Sequence, residues 1–217
     1  MWVFEEDVDV PDDGTLRDQL GDKPVKLTHA INTAHQNIKY LPGIKLPDNL
    51  IANPDLQDTV RGATILVFNL PHQFMSKTLE QIKGHHLPYA RAISCVKGVD
   101  ISEGTVKLYS ELIMEKLGIY CGSLSGANIA SEVAAENLCE TTIGYDGPPM
   151  DYKEPDGSSR DNLIKVDKQR QSKSSPSQLS LHRVPQNYPH VDSALLEKLF
   201  GRPYFNVQVV RDVSGVA

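Results

Sequence analysis

Thr64-Ile65-Leu66-Val67-Phe68-Asn69-Leu70 is an unbroken apolar run of strand length, stopped by Pro71. A strand with one wet face alternates polar and apolar residues, so a run without alternation reads as a strand covered on both faces, as in parallel sheets. Beyond it, the spacing predicts a helix from about Gln73 to Lys83 closed by Gly84, then a second strand over Ala92 to Val96. Val106 to Leu117 reads as an amphipathic helix closed by Gly118, with further strands at Ile119 to Leu124 and Glu140 to Tyr145. Toward the amino end, Trp2-Val3-Phe4 and Leu50-Ile51-Ala52 read as short strands, with a helix between them near Lys23 to Gln36. Asp55 then caps a helical turn leading to Gly62. Strand–helix–strand units on short loops imply the α/β class with a doubly wound, parallel sheet.

Asp146 to His190 interrupts this pattern. The segment is rich in Pro, Ser, Lys, Gln and Asp and poor in large apolar groups. It offers too little apolar surface to offset its ordering entropy and is expected to be a disordered insertion. A helix over Asp192 to Phe200 and a strand over Tyr204 to Val210 follow it.

At 217 residues the chain can bury a substantial core, and 40% of it is hydrophobic. A net charge of −6 argues against nucleic acid as a partner, since phosphate neutralisation needs a basic face. No apolar stretch approaches the ~20 residues that span a bilayer, so no membrane partner is expected. Met1 is followed by Trp-Val-Phe-Glu-Glu, which lacks the basic start of a signal peptide. Cys95, Cys121 and Cys139 show no Cys-x-x-Cys spacing, so neither a disulfide framework nor a metal site is supported, and a reducing, cytoplasmic compartment is expected.

Ligands of an open α/β sheet bind at the carboxyl ends of its strands. Two apolar runs here end in a polar side chain beside a glycine: Ile93-Ser94-Cys95-Val96-Lys97-Gly98, and Ser125-Gly126-Ala127-Asn128. Lys97 at such an edge polarises a carbonyl or alkoxide oxygen; the competing reading is a lysine reaching for solvent. Asn128 serves either as a hydrogen-bonding group for a substrate oxygen or as the N-cap of a helix from Ile129, and both readings can hold together. Phe74, in Pro71-His72-Gln73-Phe74, either lies against a flat ring of a dinucleotide or packs its helix onto the sheet. Glu5 and Glu6 follow the first strand, where dinucleotide-binding sheets place an acidic acceptor for the adenine ribose; a solvated acidic turn is the alternative. Ser94 and Ser131 have no histidine at a plausible spacing, so a nucleophilic triad is not supported. No Gly-x-Gly-x-x-Gly turn occurs anywhere in the chain. The expectation is therefore that the first strand, its glycine loop and the first helix lie upstream of Met1. In the 3-2-1-4-5-6 strand order that strand is central.

Taken together, Trp2-Val3-Phe4-Glu5-Glu6, Ile31-Asn32-Thr33, Lys39-Tyr40-Leu41-Pro42-Gly43, Leu46-Pro47, Pro71-His72-Gln73-Phe74, Lys97-Gly98, Gly126-Ala127-Asn128-Ile129-Ala130-Ser131-Glu132 and Glu140-Thr141-Thr142 resemble the NAD-dependent glycerol-3-phosphate dehydrogenases, in their eukaryotic and especially fungal form. The resemblance implies a Rossmann-like domain in a soluble enzyme that uses NAD to interconvert dihydroxyacetone phosphate and glycerol 3-phosphate, with a homodimer expected for the intact enzyme. It implies NAD contacts at Phe4, Phe74 and Ala130, and substrate binding at Lys97 and Asn128. On this reading residues 1–210 are the NAD-binding domain, incomplete at its N-terminus and carrying the insertion at 146–190. Residues 211–217 would open a helical substrate domain that is absent here. The family's proton-transfer lysine lies in a Gly-Ala-Leu-Lys-Asn motif, and this chain stops short of it at Asp212-Val213-Ser214-Gly215-Val216-Ala217. No catalytic residue is therefore expected within the chain, and this fragment is expected to be inactive alone. Related 6-phosphogluconate or hydroxyacid dehydrogenases, and a non-catalytic NAD-binding-like module, are the alternatives.

Overall fold

The computed structural model describes residues 1–102, 105–148, 151 and 181–217. At its start Trp2 bridges Asn53 in parallel, through backbone bonds from Val3 N to Asn53 O (3.0 Å) and from Asn53 N to Met1 O (2.9 Å). The strands expected at 2–4 and 50–52 are thus neighbours, but they are reduced to a single bridge. A two-stranded pairing this short has too few ladder bonds to propagate unaided. A small ribbon of β1 (Asp7–Val8) and β2 (Val25–Lys26), with α1 (Gly14–Leu20) between them, leads into α2 (Leu27–Ala34) and α3 (Leu56–Val60). Asp13 caps α1 and Asp55 caps α3, each accepting backbone N–H bonds of its first turn. Val8, Leu20, Leu27, Ala30, Ile31, Ile38 and Ala52 form one core under these elements.

The chain continues through β3 (Ile65–Phe68), α4 (Met75–Ile82), β4 (Arg91–Ser94), β5 (Val99–Ser102), β6 (Thr105–Leu108), α5 (Tyr109–Leu117), β7 (Tyr120–Gly126), α6 (Ala130–Ala134), β8 (Cys139–Gly144), α7 (Ser193–Phe200) and β9 (Phe205–Val210). The main sheet runs β3-β4-β7-β8-β9. Strand alternation sends Leu66, Phe68, Ala92 and Cys121 toward Met75, Leu79 and Ile82 of α4 and Leu112, Ile113 and Leu117 of α5. Ile93, Ile143 and Tyr145 face the other way, onto Val191 and Leu196. The sheet is therefore wound on both faces, as in the Rossmann-like architecture.

Two features differ from the sequence reading. β3–β4, β4–β7 and β8–β9 are parallel, but β7–β8 is antiparallel, so the sheet is parallel-dominated and mixed. The cause is the connection: a five-residue α6 and a turn at Glu136 (φ 60°) fold the chain straight back, where a parallel crossover needs a longer return path. In addition, residues 99–108 form an antiparallel β5–β6 hairpin, and the helix expected from Val106 begins only at Tyr109. The Glu111 side chain accepts from Leu108 N at 3.0 Å and marks that start.

Among the described residues β3 pairs only with β4, and Val67 on it is 49% exposed. The insertion expected over 146–190 falls largely outside the described residues, but Asp151 and Val184 within it are buried. Arg91 and Asp151 are both 1% exposed, and Arg91 Nε and Nη2 donate to the Asp151 carboxylate at 2.6 and 2.7 Å. Arg91 Nη2 also donates to His182 O at 2.9 Å. No described helix is long and apolar enough to cross a membrane.

Candidate functional site

β4 and β7 lie side by side in parallel, so their carboxyl ends open onto the same edge of the sheet. Past β4 the ladder persists for one more bond, Cys95 N to Phe68 O at 2.9 Å, and then Lys97 projects into solvent. Gly98 has φ +93°, a left-handed value that disfavours side chains, and it turns the chain directly into the β5–β6 hairpin. This keeps Lys97 at the edge.

The Lys97 ammonium crosses to β7 and donates to Gly126 O at 2.5 Å. Two residues on, Asn128 Nδ2 donates to Thr141 Oγ1 at 2.8 Å. Gly126 is what lets these groups approach: a Cβ there would stand 2.6 Å from Asn128 Oδ1, 2.6 Å from Glu140 O and 3.1 Å from Thr141 Oγ1. Lys97 and Asn128 therefore converge on one glycine. The ammonium uses one of its three N–H donors on Gly126 O, and the amide uses one of its two on Thr141. Donors remain on both for a polarised or anionic oxygen.

Asn128 is not the N-cap of the following helix. Ile129 occupies that position, and no side chain caps the helix there. The Asn128 side chain is committed to Thr141 across the β7–β8 pair instead.

Phe74 lies in a 3-10 turn just past the carboxyl end of β3, and with 51% exposure it does not pack α4 onto the sheet. Phe4, 73% exposed, follows the Trp2–Asn53 bridge. Both present bare aromatic surface, which suits stacking on flat rings. Ala130 is exposed at the first position of α6.

The carboxylates expected to serve a ribose are engaged internally. Glu5 accepts from Thr28 Oγ1 at 2.6 Å and from Thr28 N at 3.3 Å, so it caps α2 from outside. Lys26, the N-cap of that helix, makes no side-chain bond there. Glu6 accepts from Lys39 Nζ and from Tyr40 Oη at 2.7 Å, and the Lys39 ammonium sits 4.9 Å from the centre of the Tyr40 ring. The hydrogen bond from Lys39, aided by that from Tyr40, holds the Glu6 carboxyl below its usual range. Burial pushes the Cys95 thiol up to about 11, so it is not a thiolate near neutral pH. Among the described residues no three His, Cys, Asp or Glu side chains are grouped to hold a metal ion.

Thr141 and Gly126 are site residues that the sequence reading quoted within larger blocks without giving them a role. The signal was present in the proximity of two polar blocks, but using it requires knowing that β7 and β8 run antiparallel.

Residues 1–150 match the profile of the NAD-dependent glycerol-3-phosphate dehydrogenase N-terminus. The whole chain is 46% identical to a glycerol-3-phosphate dehydrogenase [NAD(+)] of Lachancea thermotolerans and 44% identical to one of Saccharomyces cerevisiae, covering 41% and 44% of those proteins. It thus spans less than half the length of these relatives. Among solved structures it is similar to glycerol-3-phosphate dehydrogenase from Saccharomyces cerevisiae, with a TM-score of 0.72 and 44% identity over 99% of this chain and 48% of that one. It is also similar to the Dunaliella salina enzyme, with a TM-score of 0.67 and 31% identity over 99% of this chain and 30% of that one. With a matching profile over most of its length and a fold shared with solved members, the chain belongs to the family of NAD-dependent glycerol-3-phosphate dehydrogenases.

Proposed function

We propose that this chain supplies the NAD-facing and part of the substrate-facing surface of a glycerol-3-phosphate dehydrogenase that interconverts dihydroxyacetone phosphate and glycerol 3-phosphate. The observation that carries the reading is the convergence of the Lys97 ammonium and the Asn128 carboxamide on Gly126, at the carboxyl edge where such sheets bind ligands.

NAD, when bound, supplies or accepts the hydride at C2 of the substrate. As dihydroxyacetone phosphate is reduced, negative charge grows on the C2 oxygen. Lys97 and Asn128 donate hydrogen bonds to that oxygen, and pre-placed donors at a site of charge development are among the largest catalytic effects. Phe74, on the same edge as Lys97, offers its face to the nicotinamide end of the cofactor. Phe4 and Ala130 make the remaining NAD contacts. Neither Lys97 nor Asn128 takes the proton-transfer role, which the family resemblance assigns to the lysine of a Gly-Ala-Leu-Lys-Asn motif.

The homodimer of the intact enzyme and a cytoplasmic location belong to the same proposal. Three free cysteines support a reducing compartment. A relative from Saccharomyces cerevisiae is described as mitochondrial, and cell fractionation would separate the two locations.

The test is calorimetric titration of dihydroxyacetone phosphate into the chain with NADH present. Binding that falls about tenfold or more in Lys97→Ala and in Asn128→Ala supports the reading, as expected for donors to a charged or polarised oxygen. Equal affinity in wild type and both variants overturns it.

A further inference from the structure

We propose that Thr141 is a positioning residue whose hydroxyl fixes the Asn128 carboxamide so that its second N–H is presented, beside the Lys97 ammonium, to a substrate oxygen. The inference rests on the reading of Lys97 and Asn128 as substrate-holding groups.

A carboxamide has nearly the same shape either way round, but one orientation offers two donors and the other an acceptor. Its polarity at a site is set by what holds its two ends. Here Nδ2 donates to Thr141 Oγ1 at 2.8 Å, and Oδ1 occupies the space left by the absent Cβ of Gly126. Thr141 is 4% exposed and sits in register opposite Gly126 in the antiparallel β7–β8 pair, so its hydroxyl is held by the sheet and not by a loop. Burying a hydroxyl is costly unless it is bonded, and the bond to Asn128 offsets that cost. With the amide so held, both groups converging on Gly126 present N–H donors. That polarity suits a carbonyl, alkoxide or phosphate oxygen and disfavours a group that must itself donate.

The test uses the full chain labelled with 15N. Three variants are compared with wild type: Thr141→Val, which keeps the shape and removes the acceptor; Thr141→Ser, which keeps the hydroxyl; and Asn128→Ala. Without ligand, the Asn128 side-chain amide resonances move in Thr141→Val and return in Thr141→Ser. On titration with dihydroxyacetone phosphate in the presence of NADH, Thr141→Val binds about tenfold more weakly, the size of one net hydrogen bond, and Thr141→Ser recovers most of the loss. The double variant Thr141→Val/Asn128→Ala binds no more weakly than Asn128→Ala alone.

Unchanged Asn128 resonances in Thr141→Val, affinity within about twofold of wild type, or equal losses in the Val and Ser variants would each overturn the assignment. If the wild-type titration moves neither Lys97 nor Asn128 signals, the proposed function fails first and takes this inference with it. If it moves them and Thr141→Val titrates like wild type, only the role of Thr141 fails.

Discussion

The Lys97 ammonium and the carbonyl of Gly126 meet at 2.5 Å across two parallel strands, and the absent side chain at 126 leaves room on that residue for the Asn128 carboxamide and Thr141. Gly126→Ala places a methyl 2.6 Å from both Glu140 O and Asn128 Oδ1. Backbone on one side cannot yield, so the strand pair or the amide must shift. The expected cost is about 1–3 kcal/mol of stability, the range of an overpacked core. Urea unfolding measures it, and the shift should appear in the midpoint with the slope unchanged.

Phe74 and Phe4 are the reverse case, large apolar side chains without a packing role. Phe74→Ala should alter stability by less than about 0.5 kcal/mol, as for a surface site, and should weaken NADH binding. Thermal melts and the quenching of NADH fluorescence read the two effects separately. A stability loss as large as that of a core truncation would assign Phe74 to packing instead.

Arg91 and Asp151 form a buried, bidentate ion pair, and removing one partner strands the other charge away from water. Arg91→Met is expected to cost about 3–5 kcal/mol, with the double variant Arg91→Met/Asp151→Leu recovering most of it, because paired apolar replacements avoid the desolvation of both ions. Denaturant unfolding of the two single variants and the double variant closes the cycle.

The Glu6–Lys39–Tyr40 cluster sets an acid and an alkaline limit. Glu6 is held below its ordinary 4.5, so its stabilising contribution is present above that value and is lost as the pH falls through the depressed folded value. Lys39 is raised above 10.5 by Glu6 and, to a lesser degree, Tyr40, so its share is present below 10.5 and lost as the pH rises through the higher folded value. Between these limits the contribution is flat. Glu6→Gln should lower the melting temperature near neutral pH and make both limbs shallower, which melts from pH 3 to pH 11 would record.

Thiol chemistry follows from burial. Cys95 is pushed up to about 11 by its surroundings, Cys121 is also pushed up by burial, and Cys139 is buried. Iodoacetamide at pH 8 should therefore modify the native chain slowly at all three positions, and fast labelling should appear only on addition of denaturant. Mass spectrometry of timed samples checks this. Rapid labelling of Cys95 in the native chain would contradict its desolvated position.

Much of the fold could be read from residues. The run at 64–70 is a strand within a sheet wound on both faces, Asp55 is an N-cap, a helix does occupy the stretch before Phe200, and the strands of the main sheet follow the apolar runs. What could not be read depends on contacts distant along the chain. The direction of β8 is decided by how little chain separates it from β7, and a run of six residues looks the same in either direction. Residues 99–108 mix β-branched and polar positions at a spacing that fits helix and hairpin alike, and the Glu111 bond to Leu108 N decides where the helix begins. At the candidate site, Lys97 and Asn128 stood out because one directly precedes Gly98 and the other follows Gly126 by two residues, each just past a strand end. Thr141 was not, since a threonine in a strand is ordinarily there for its branched shape. Asp151 was hidden for another reason: it lies within a stretch whose composition argues against order, yet Arg91 fixes it.

The Arg91 guanidinium joins residues 60 and 91 positions apart in the chain. Contacts of such reach carry a loop-closure penalty that must be met before they stabilise anything, so they form after the helices and neighbouring strands are in place. Arg91 should therefore act as a late latch. Replacing it would leave the rate of refolding nearly unchanged and would let the native chain come apart faster, a signature that stopped-flow measurements of both limbs would display.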